Sequence, residues 1–224
     1  MTRPDAVLLD FDGVIVDSEP MHEAGLRQGF AKLGMALTPE MNASSLVGFA
    51  DRDTYRAVCV MHGRTPSDEE FAAVSRDKWI FAQEAMARGE VPEYKGTLRL
   101  IEEVKQAGIP LAICSGARRH EILAVVERLG FGNALSFVIS ADDVARCKPD
   151  PEPYATAVSR LGVRPDRCIT VEDTDKGVAS AKAAGVRAIA VGHTLPRERL
   201  LHADHFLPHA DGLSLSLLMD VLSR

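Results

Sequence analysis

Residues 6–20 read Ala-Val-Leu-Leu-Asp-Phe-Asp-Gly-Val-Ile-Val-Asp-Ser-Glu-Pro. The apolar run that begins at Ala6 ends at the acid Asp10, and a second acid, Asp12, precedes Gly13. A short apolar run that ends in polar residues is typical of a buried parallel strand. The stretch therefore predicts a first strand that delivers Asp10 and Asp12 to one edge of a sheet.

Further apolar runs, rich in β-branched residues, predict four more strands at 110–115, 137–140, 168–173 and 188–191. Between these strands, apolar residues recur at helical spacing. Alternating strands and helices of this length predict an α/β fold, with an open parallel sheet, helices on both faces and right-handed crossovers.

The segment between the first strand and Gly96 is the exception, because its apolar residues follow helical spacing without a strong strand signal. Helices are predicted there at 21–33, 53–61 and 67–87. The segment fits a small inserted all-helical cap over the active end of the sheet. The predicted domains are therefore a catalytic core at 1–17 and 90–224 and a cap domain at 18–89.

The whole-chain composition excludes several classes of protein. Lys and Arg total 26 against 32 Asp and Glu, the net charge is -6, and no basic run occurs, so no nucleic-acid partner is expected. No stretch approaches the ~20 apolar residues of a spanning helix, so no membrane partner is expected either. The four isolated cysteines and the absence of a signal-peptide pattern predict a cytoplasmic protein with reduced thiols. The sequence leaves a monomer and a weak homo-oligomer equally open.

The chemistry-bearing residues follow the predicted strands, at the edge where ligands bind in open α/β sheets. They are Asp10, Asp12, Ser115, Lys148, Glu172 and Asp173. Carboxylates suit Mg²⁺, which prefers oxygen ligands and is usually held by one or two carboxylates and a substrate phosphate. The set therefore predicts phosphoryl transfer with Mg²⁺ as cofactor and a small-molecule phosphate ester as substrate.

Each of these residues receives a predicted catalytic role. Asp10 is the candidate nucleophile, because a carboxylate that attacks phosphorus splits one hard displacement into two easier ones. Lys148 and Ser115 are placed to neutralise the charge on the transferring oxygens. Asp12, turned back by Gly13, is placed to protonate the leaving alkoxide and later to activate water.

Four motifs, in their order along the chain, resemble those of the haloacid dehalogenase superfamily, in the branch that contains β-phosphoglucomutase and sugar phosphatases. They lie at 10–20, 113–116, 148–149 and 171–185. The resemblance implies a Rossmann-like core with a helical cap and an aspartyl-phosphate mechanism. It also implies that the Asp12 main-chain carbonyl joins Asp10 and Asp173 around Mg²⁺. Glu172 is implied either as a metal ligand or as a residue that orients the metal-bound waters.

The leading functional prediction is a phosphatase acting on a phosphorylated sugar or another small metabolite. The alternative is a β-phosphoglucomutase-like mutase, which must hold a second phosphate. Mutases of this branch carry a cap arginine where this chain has Asp51, followed by Arg52, and a different sequence after the catalytic serine. A dehalogenase is disfavoured by Asp12, and a non-catalytic binding module by the intact set of acids.

Candidate substrate-binding residues lie both after the second strand and in the cap. Those after the strand are Ser115, Gly116 and Arg118, and those in the cap are His22 and Arg52. An arginine in a cleft binds phosphate strongly, whereas an arginine on a solvated helical turn is common, and the sequence leaves both readings of Arg118 open. Cys114 is predicted to be a core thiol, and His209 a surface residue.

Overall fold

The computed structural model describes residues 2–38, 41, 46 and 48–224. The chain divides into two compact units. The first combines Met1–Val16 with Glu93–Arg224, and the second is Asp17–Pro92. The sequence predicted the domain boundaries at 17/18 and 89/90. Among the described helices, none has the length and apolar character needed to cross a membrane.

The first unit contains a parallel sheet, which has six strands within the described residues and the spatial order β3-β2-β1-β4-β5-β6. The strands are β1 (Ala6–Leu9), β2 (Leu111–Cys114), β3 (Phe137–Ile139), β4 (Cys168–Glu172), β5 (Arg187–Val191) and β6 (His205–Leu207). Strands β1, β2 and β4 are buried along their whole length, as expected for parallel strands covered on both faces. The strand order reverses between β1 and β4, which is where open α/β sheets bind ligands.

The described α-helices alternate with these strands or lie in the second unit. In chain order they are α1 (Glu19–Lys32), α2 (Asp51–Met61), α3 (Asp68–Ala87), α4 (Lys95–Gln106), α5 (Arg119–Leu129), α6 (Glu152–Leu161), α7 (Asp175–Ala183) and α8 (Leu215–Leu222). Thr174 is the N-cap residue of α7, because its side chain accepts a hydrogen bond from the Gly177 N–H at 3.1 Å. This hydrogen bond starts α7 directly after Glu172 and Asp173.

The second unit is helical in its described residues, with α1 packed on α3. Gly25 and Gly29, one turn apart on α1, allow this approach, since a Cβ at either position would lie within 3.2 Å of a side-chain atom of Lys78 or Val74. Lys78 is 2% exposed, and its Nζ contacts the Asp51 carboxylate at 2.6 Å. The Asp51 carboxylate therefore compensates the charge of the buried Lys78 ammonium.

The predicted α/β fold with an open parallel sheet is confirmed, and α1, α2 and α3 fall where the sequence placed three helices. The prediction missed β6. This strand contains only His205–Leu207, lies at the edge of the sheet and is half-buried, so it lacks the continuous apolar run that marks the inner strands.

Candidate active site

Asp10 follows β1 directly and is 7% exposed. Its Oδ1 atom accepts a hydrogen bond from the Phe11 N–H at 2.7 Å and contacts the Lys148 Nζ at 2.8 Å. Donors from its own loop and from a distant loop therefore hold the same carboxylate oxygen. This fixes the rotation of the Asp10 carboxylate at the carboxyl edge of the sheet.

Glu172 ends β4, the strand paired with β1, and Asp173 follows it directly. One oxygen from each of Asp10, Glu172 and Asp173 lies within 4.8 Å of the others, so the three can share one cation. The structure thus brings together acids that the sequence separates by more than half of the chain.

Glu172 is fully buried, and hydrogen-bond donors reach both of its oxygens. Oε1 contacts the Lys148 Nζ at 2.6 Å and accepts a hydrogen bond from the Tyr154 hydroxyl. Oε2 accepts from the Asp173 N–H at 3.3 Å. A Cβ at Gly177, in the first turn of α7, would overlap this carboxylate, so Glu172 also lies against the positive end of a helix.

The cluster holds more negative charge than its lysine can neutralise. Burial, reinforced by the charge of Glu172, raises the pKa of Asp10 to about 8 although Lys148 opposes the shift. Burial and the charge of Asp10 raise the pKa of Asp173 well above its usual range. Burial alone would lower the pKa of Lys148, but the carboxylates of Asp10 and Glu172 raise it instead. A bound cation would relieve this excess of negative charge.

Asp173 has the clearest open position for such a cation. Its Oδ1 atom is buried and has no hydrogen-bond partner within the described part of the chain. A buried carboxylate oxygen without a donor is costly, and a metal ion is one of the few groups that satisfies it. Together with the grouping of the three acids, this atom fits a hard divalent cation such as Mg²⁺.

The loop after Asp10 turns at Gly13, whose φ of 70° lies in the left-handed region. A Cβ there would overlap the Asp173 carboxylate and lie 2.7 Å from the Thr194 hydroxyl. Asp12, just before this turn, is half-buried and forms a bridge with Val16. The close approach of Gly13 brings the Asp12 main chain towards the acids of β4, which a side chain at residue 13 would prevent.

Ser115 follows β2 and is 3% exposed. Its backbone N–H donates to the Ile139 carbonyl at 2.9 Å, and its hydroxyl accepts from the Ala117 N–H at 3.0 Å. Gly116, the next residue, is half-buried. Arg118, at the start of α5, instead directs its guanidinium to the Asp142 carboxylate at 3.1 Å. The substrate-binding role of Arg118 stays a prediction, and this arginine already has an acidic partner.

The two cap candidates, His22 and Arg52, lie in the second unit. His22 is in the first turn of α1, where its backbone N–H donates a hydrogen bond to the Ser18 carbonyl at 2.9 Å. Arg52 lies in the first turn of α2, contacts the Asp68 carboxylate at 2.6 Å and stacks its guanidinium over the Phe71 ring. Their contacts with substrate stay predictions.

Sequence reasoning missed Tyr154, His193 and Thr194. Tyr154 is fully buried on α6, and its hydroxyl bonds to Glu172, whereas the sequence indicates only that it lies in a helix between two strands. Thr194 hydrogen-bonds the Asp173 carboxyl. His193 bonds to the Gly13 carbonyl from 180 positions along the chain, and no local pattern signals a contact of that range. Cys114, by contrast, is a fully buried thiol, as predicted.

Comparison with known proteins gives a consistent result. The family model for haloacid dehalogenase-like hydrolases matches residues 7–191. Validoxylamine A 7'-phosphate phosphatase from Streptomyces hygroscopicus subsp. limoneus is 30% identical over 206 residues, covering 89% of this chain and 91% of that protein. Fructose-1-phosphate phosphatase YqaB from Escherichia coli is 26% identical, covering 84% of this chain and 97% of that protein.

Solved structures extend the comparison to three dimensions. A mutant of CbbY from Rhodobacter sphaeroides, crystallised in complex with xylulose-(1,5)bisphosphate, superposes with a TM-score of 0.83 at 28% identity, covering 94% of this chain and 96% of that one. A β-phosphoglucomutase from Clostridium difficile superposes with a TM-score of 0.87 at 22% identity, covering 100% and 98% of the two chains. At that identity the second match speaks for the fold alone.

Proposed function

The chain belongs to the haloacid dehalogenase-like hydrolase family, and we propose that it is a Mg²⁺-dependent phosphatase of a phosphorylated sugar or similar small metabolite. One observation carries the proposal. Three buried acids cluster at the carboxyl edge of β1 and β4, two of them contact the buried Lys148, and one acid oxygen there has no protein partner in the described residues. The phosphatases among its relatives support the same reaction class.

The metal site in this proposal consists of the carboxylates of Asp10 and Asp173 and the main-chain carbonyl of Asp12. When bound there, Mg²⁺ would neutralise the crowded carboxylates and the charge of the incoming phosphate. Glu172 has donors on both oxygens, which supports an indirect role in which it holds Lys148 in place. The domain division supports Asp17–Pro92 as the cap in this proposal.

In the proposed reaction, the donors on Oδ1 of Asp10 leave its second oxygen, Oδ2, to attack phosphorus. An O–P bond forms to Asp10, the bond to the leaving oxygen breaks, and Asp12 gives that oxygen its proton. Asp12 then takes a proton from a water molecule, whose oxygen attacks phosphorus; the bond between phosphorus and Asp10 breaks, and inorganic phosphate is released. Lys148 and the Ser115 hydroxyl stabilise the charge on the transferring oxygens.

The cations of the chain favour a phosphatase over a mutase, which must hold a second phosphate. Each of three candidate cations already has a carboxylate partner: Lys78 contacts Asp51, Arg52 contacts Asp68, and Arg118 contacts Asp142. An arginine or lysine that bound a second phosphate would first have to give up that partner. Release of phosphate to water makes no such demand.

The test is a panel of phosphorylated sugars and small phosphate esters, assayed with MgCl₂ for free phosphate. β-Glucose 1-phosphate is included and is also assayed for glucose 6-phosphate. We expect phosphate release that EDTA abolishes and excess MgCl₂ restores. Formation of glucose 6-phosphate without net phosphate release would identify a mutase instead. No turnover of any ester would contradict an enzymatic role.

Two substitutions test the assigned roles. Asp10→Asn should lower kcat by at least roughly 10³-fold, because it removes the nucleophile. Asp166→Asn, which changes an exposed acid outside the cluster, is the matched control and should leave kcat unchanged. Asp12→Asn should leave a phosphoenzyme that persists for longer than in the wild type. Rapid dephosphorylation of that variant would contradict the role of Asp12 as base.

A further inference from the structure

The carbonyl of Gly13 is held by a histidine that lies far away in the sequence. His193, in the loop after β5, places its Nδ1 atom 2.6 Å from the Gly13 oxygen. The Ala210 N–H donates to the Nε2 atom of the same ring at 3.0 Å. Because Nε2 accepts a hydrogen bond, the proton of the neutral ring is on Nδ1, and Nδ1 donates to Gly13.

The ring of His193 is also fixed by its packing. It stacks on Tyr94 with 3.8 Å between ring centroids and an angle of 11° between planes, and it meets His209 edge-on at 4.7 Å. The ring contacts limit the tilt of the imidazole, and the two hydrogen bonds determine its rotation and its tautomer. A donor restrained in this way sets the direction of the carbonyl that it binds.

The neighbouring residue extends this connection to the metal site. Thr194 hydrogen-bonds the Asp173 carboxyl, while His193 bonds to the Gly13 carbonyl. Two consecutive residues after β5 therefore hold the two residues that approach each other closely, Gly13 and Asp173. The next two carbonyls of the same loop are also held, Val14 by the Thr97 hydroxyl at 2.6 Å and Ile15 by the Tyr94 N–H at 2.9 Å. His193 is therefore the side chain that holds the carbonyl of Gly13, the residue directly after Asp12.

We propose that His193 is a positioning residue, which sets the Gly13 peptide and thereby the placement of Asp12 relative to Asp173. The inference rests on the proposed function for its kinetic readout. Lys148 and Ser115, which bind the phosphate in that function, are held by other contacts: Lys148 by Asp10 and Glu172, and the Ser115 hydroxyl by the Ala117 N–H. Loss of the Gly13 hydrogen bond should therefore lower kcat and weaken Mg²⁺ binding while leaving KM within about twofold of wild type.

Two substitutions separate the hydrogen bond from the packing of the ring. His193→Phe keeps an aromatic ring but loses both hydrogen bonds, whereas His193→Asn loses the ring but can present an amide N–H near the position of Nδ1. With p-nitrophenyl phosphate and MgCl₂, we expect His193→Phe to lower kcat by about 10- to 100-fold, as small misplacements of catalytic groups do. His193→Asn should recover most of that loss.

A third variant, His209→Phe, is the matched control. His209 meets the ring of His193 edge-on, and phenylalanine keeps an aromatic ring at that position, so this variant should keep the wild-type kcat. Far-UV circular dichroism verifies that each variant is folded. The proposal is overturned if His193→Phe has wild-type kinetics, if His193→Asn is as impaired as His193→Phe, or if His209→Phe is equally impaired.

Two further measurements do not depend on turnover. Nitrogen-15 NMR of the histidine rings in the wild-type protein should show His193 protonated on Nδ1, and an Nε2-protonated ring would overturn the proposal. Calorimetric titration with MgCl₂ should give weaker binding to His193→Phe and recovery in His193→Asn, whereas equal binding to all forms would overturn it. If the wild-type protein releases no phosphate from any ester, the proposed function is refuted, and these two measurements still decide the role of His193.

Discussion

Replacing Asp10, the proposed nucleophile, should stabilise the metal-free protein. In the fold, Asp10 keeps its proton up to a pKa of about 8, whereas the unfolded chain releases it near 3.8. Unfolding therefore releases a proton between these values, and wild-type stability falls as pH rises through that window. Asparagine does not titrate. The free energy of unfolding of Asp10→Asn should therefore exceed that of wild type in EDTA, by an amount that grows with pH.

The magnitude follows from the shift. At about pH 7.5, the displaced pKa corresponds to a ceiling of about 5 kcal/mol, at about 1.4 kcal/mol per unit. Relaxation and water penetration reduce the effective cost of buried charge, so we expect about 2 kcal/mol. For a chain of this size, that is an increase in Tm of about 4–8 °C. Near pH 5 most of the difference should disappear.

The assay is thermal unfolding in EDTA, at about pH 5 and about pH 8, followed by circular dichroism. Fluorescence of Trp79, the only tryptophan, would report on the second unit, whereas Asp10 lies in the first. MgCl₂ should then raise the Tm of wild type more than that of Asp10→Asn, because a cation binding only the folded state stabilises it. Asp166→Asn is the control, since its ion pair with Arg164 is exposed and its loss should matter little.

An Asp10→Asn protein that is no more stable than wild type in EDTA at about pH 8 would refute the reasoning. So would a stability difference that does not shrink towards acid pH. Either result would mean that the three acids are not in electrostatic conflict, and the main argument for a bound cation would fail.

Two further substitutions test the geometry. Gly13→Ala should abolish activity and Mg²⁺ binding, because its Cβ would overlap the Asp173 carboxylate. Gly108→Ala is the control, because Gly108 has a similar φ of 63° but open space around it. This control should cost only about 1 kcal/mol of stability and leave kcat unchanged. Tyr154→Phe should lower the free energy of unfolding in urea by about 1–3 kcal/mol and reduce kcat several-fold, because Glu172 loses a buried donor; unchanged values for both would contradict the role of the hydroxyl.

The fold and the central acids could be predicted because both depend on short-range signals. Apolar runs mark the inner strands, and the carboxyl ends of parallel strands meet at one edge, so Asp10 and Asp173 converge. Tyr154 and His193 could not be predicted in the same way. Each acts through a contact between separate elements, and the direction of a side chain across such a contact depends on packing that local sequence does not encode.

Glu172 and Asp173 illustrate where the sequence argument stops. The two acids are adjacent, and the alternation of side chains along a strand does not say which of them faces a metal ion. The structure separates them: donors reach both oxygens of Glu172, while Oδ1 of Asp173 has none among the described residues. An acid whose oxygens are already bonded stabilises its donors, and an acid with a bare oxygen attracts a cation. Glu172 therefore belongs with Lys148, and in the proposed function Asp173 belongs with the metal ion.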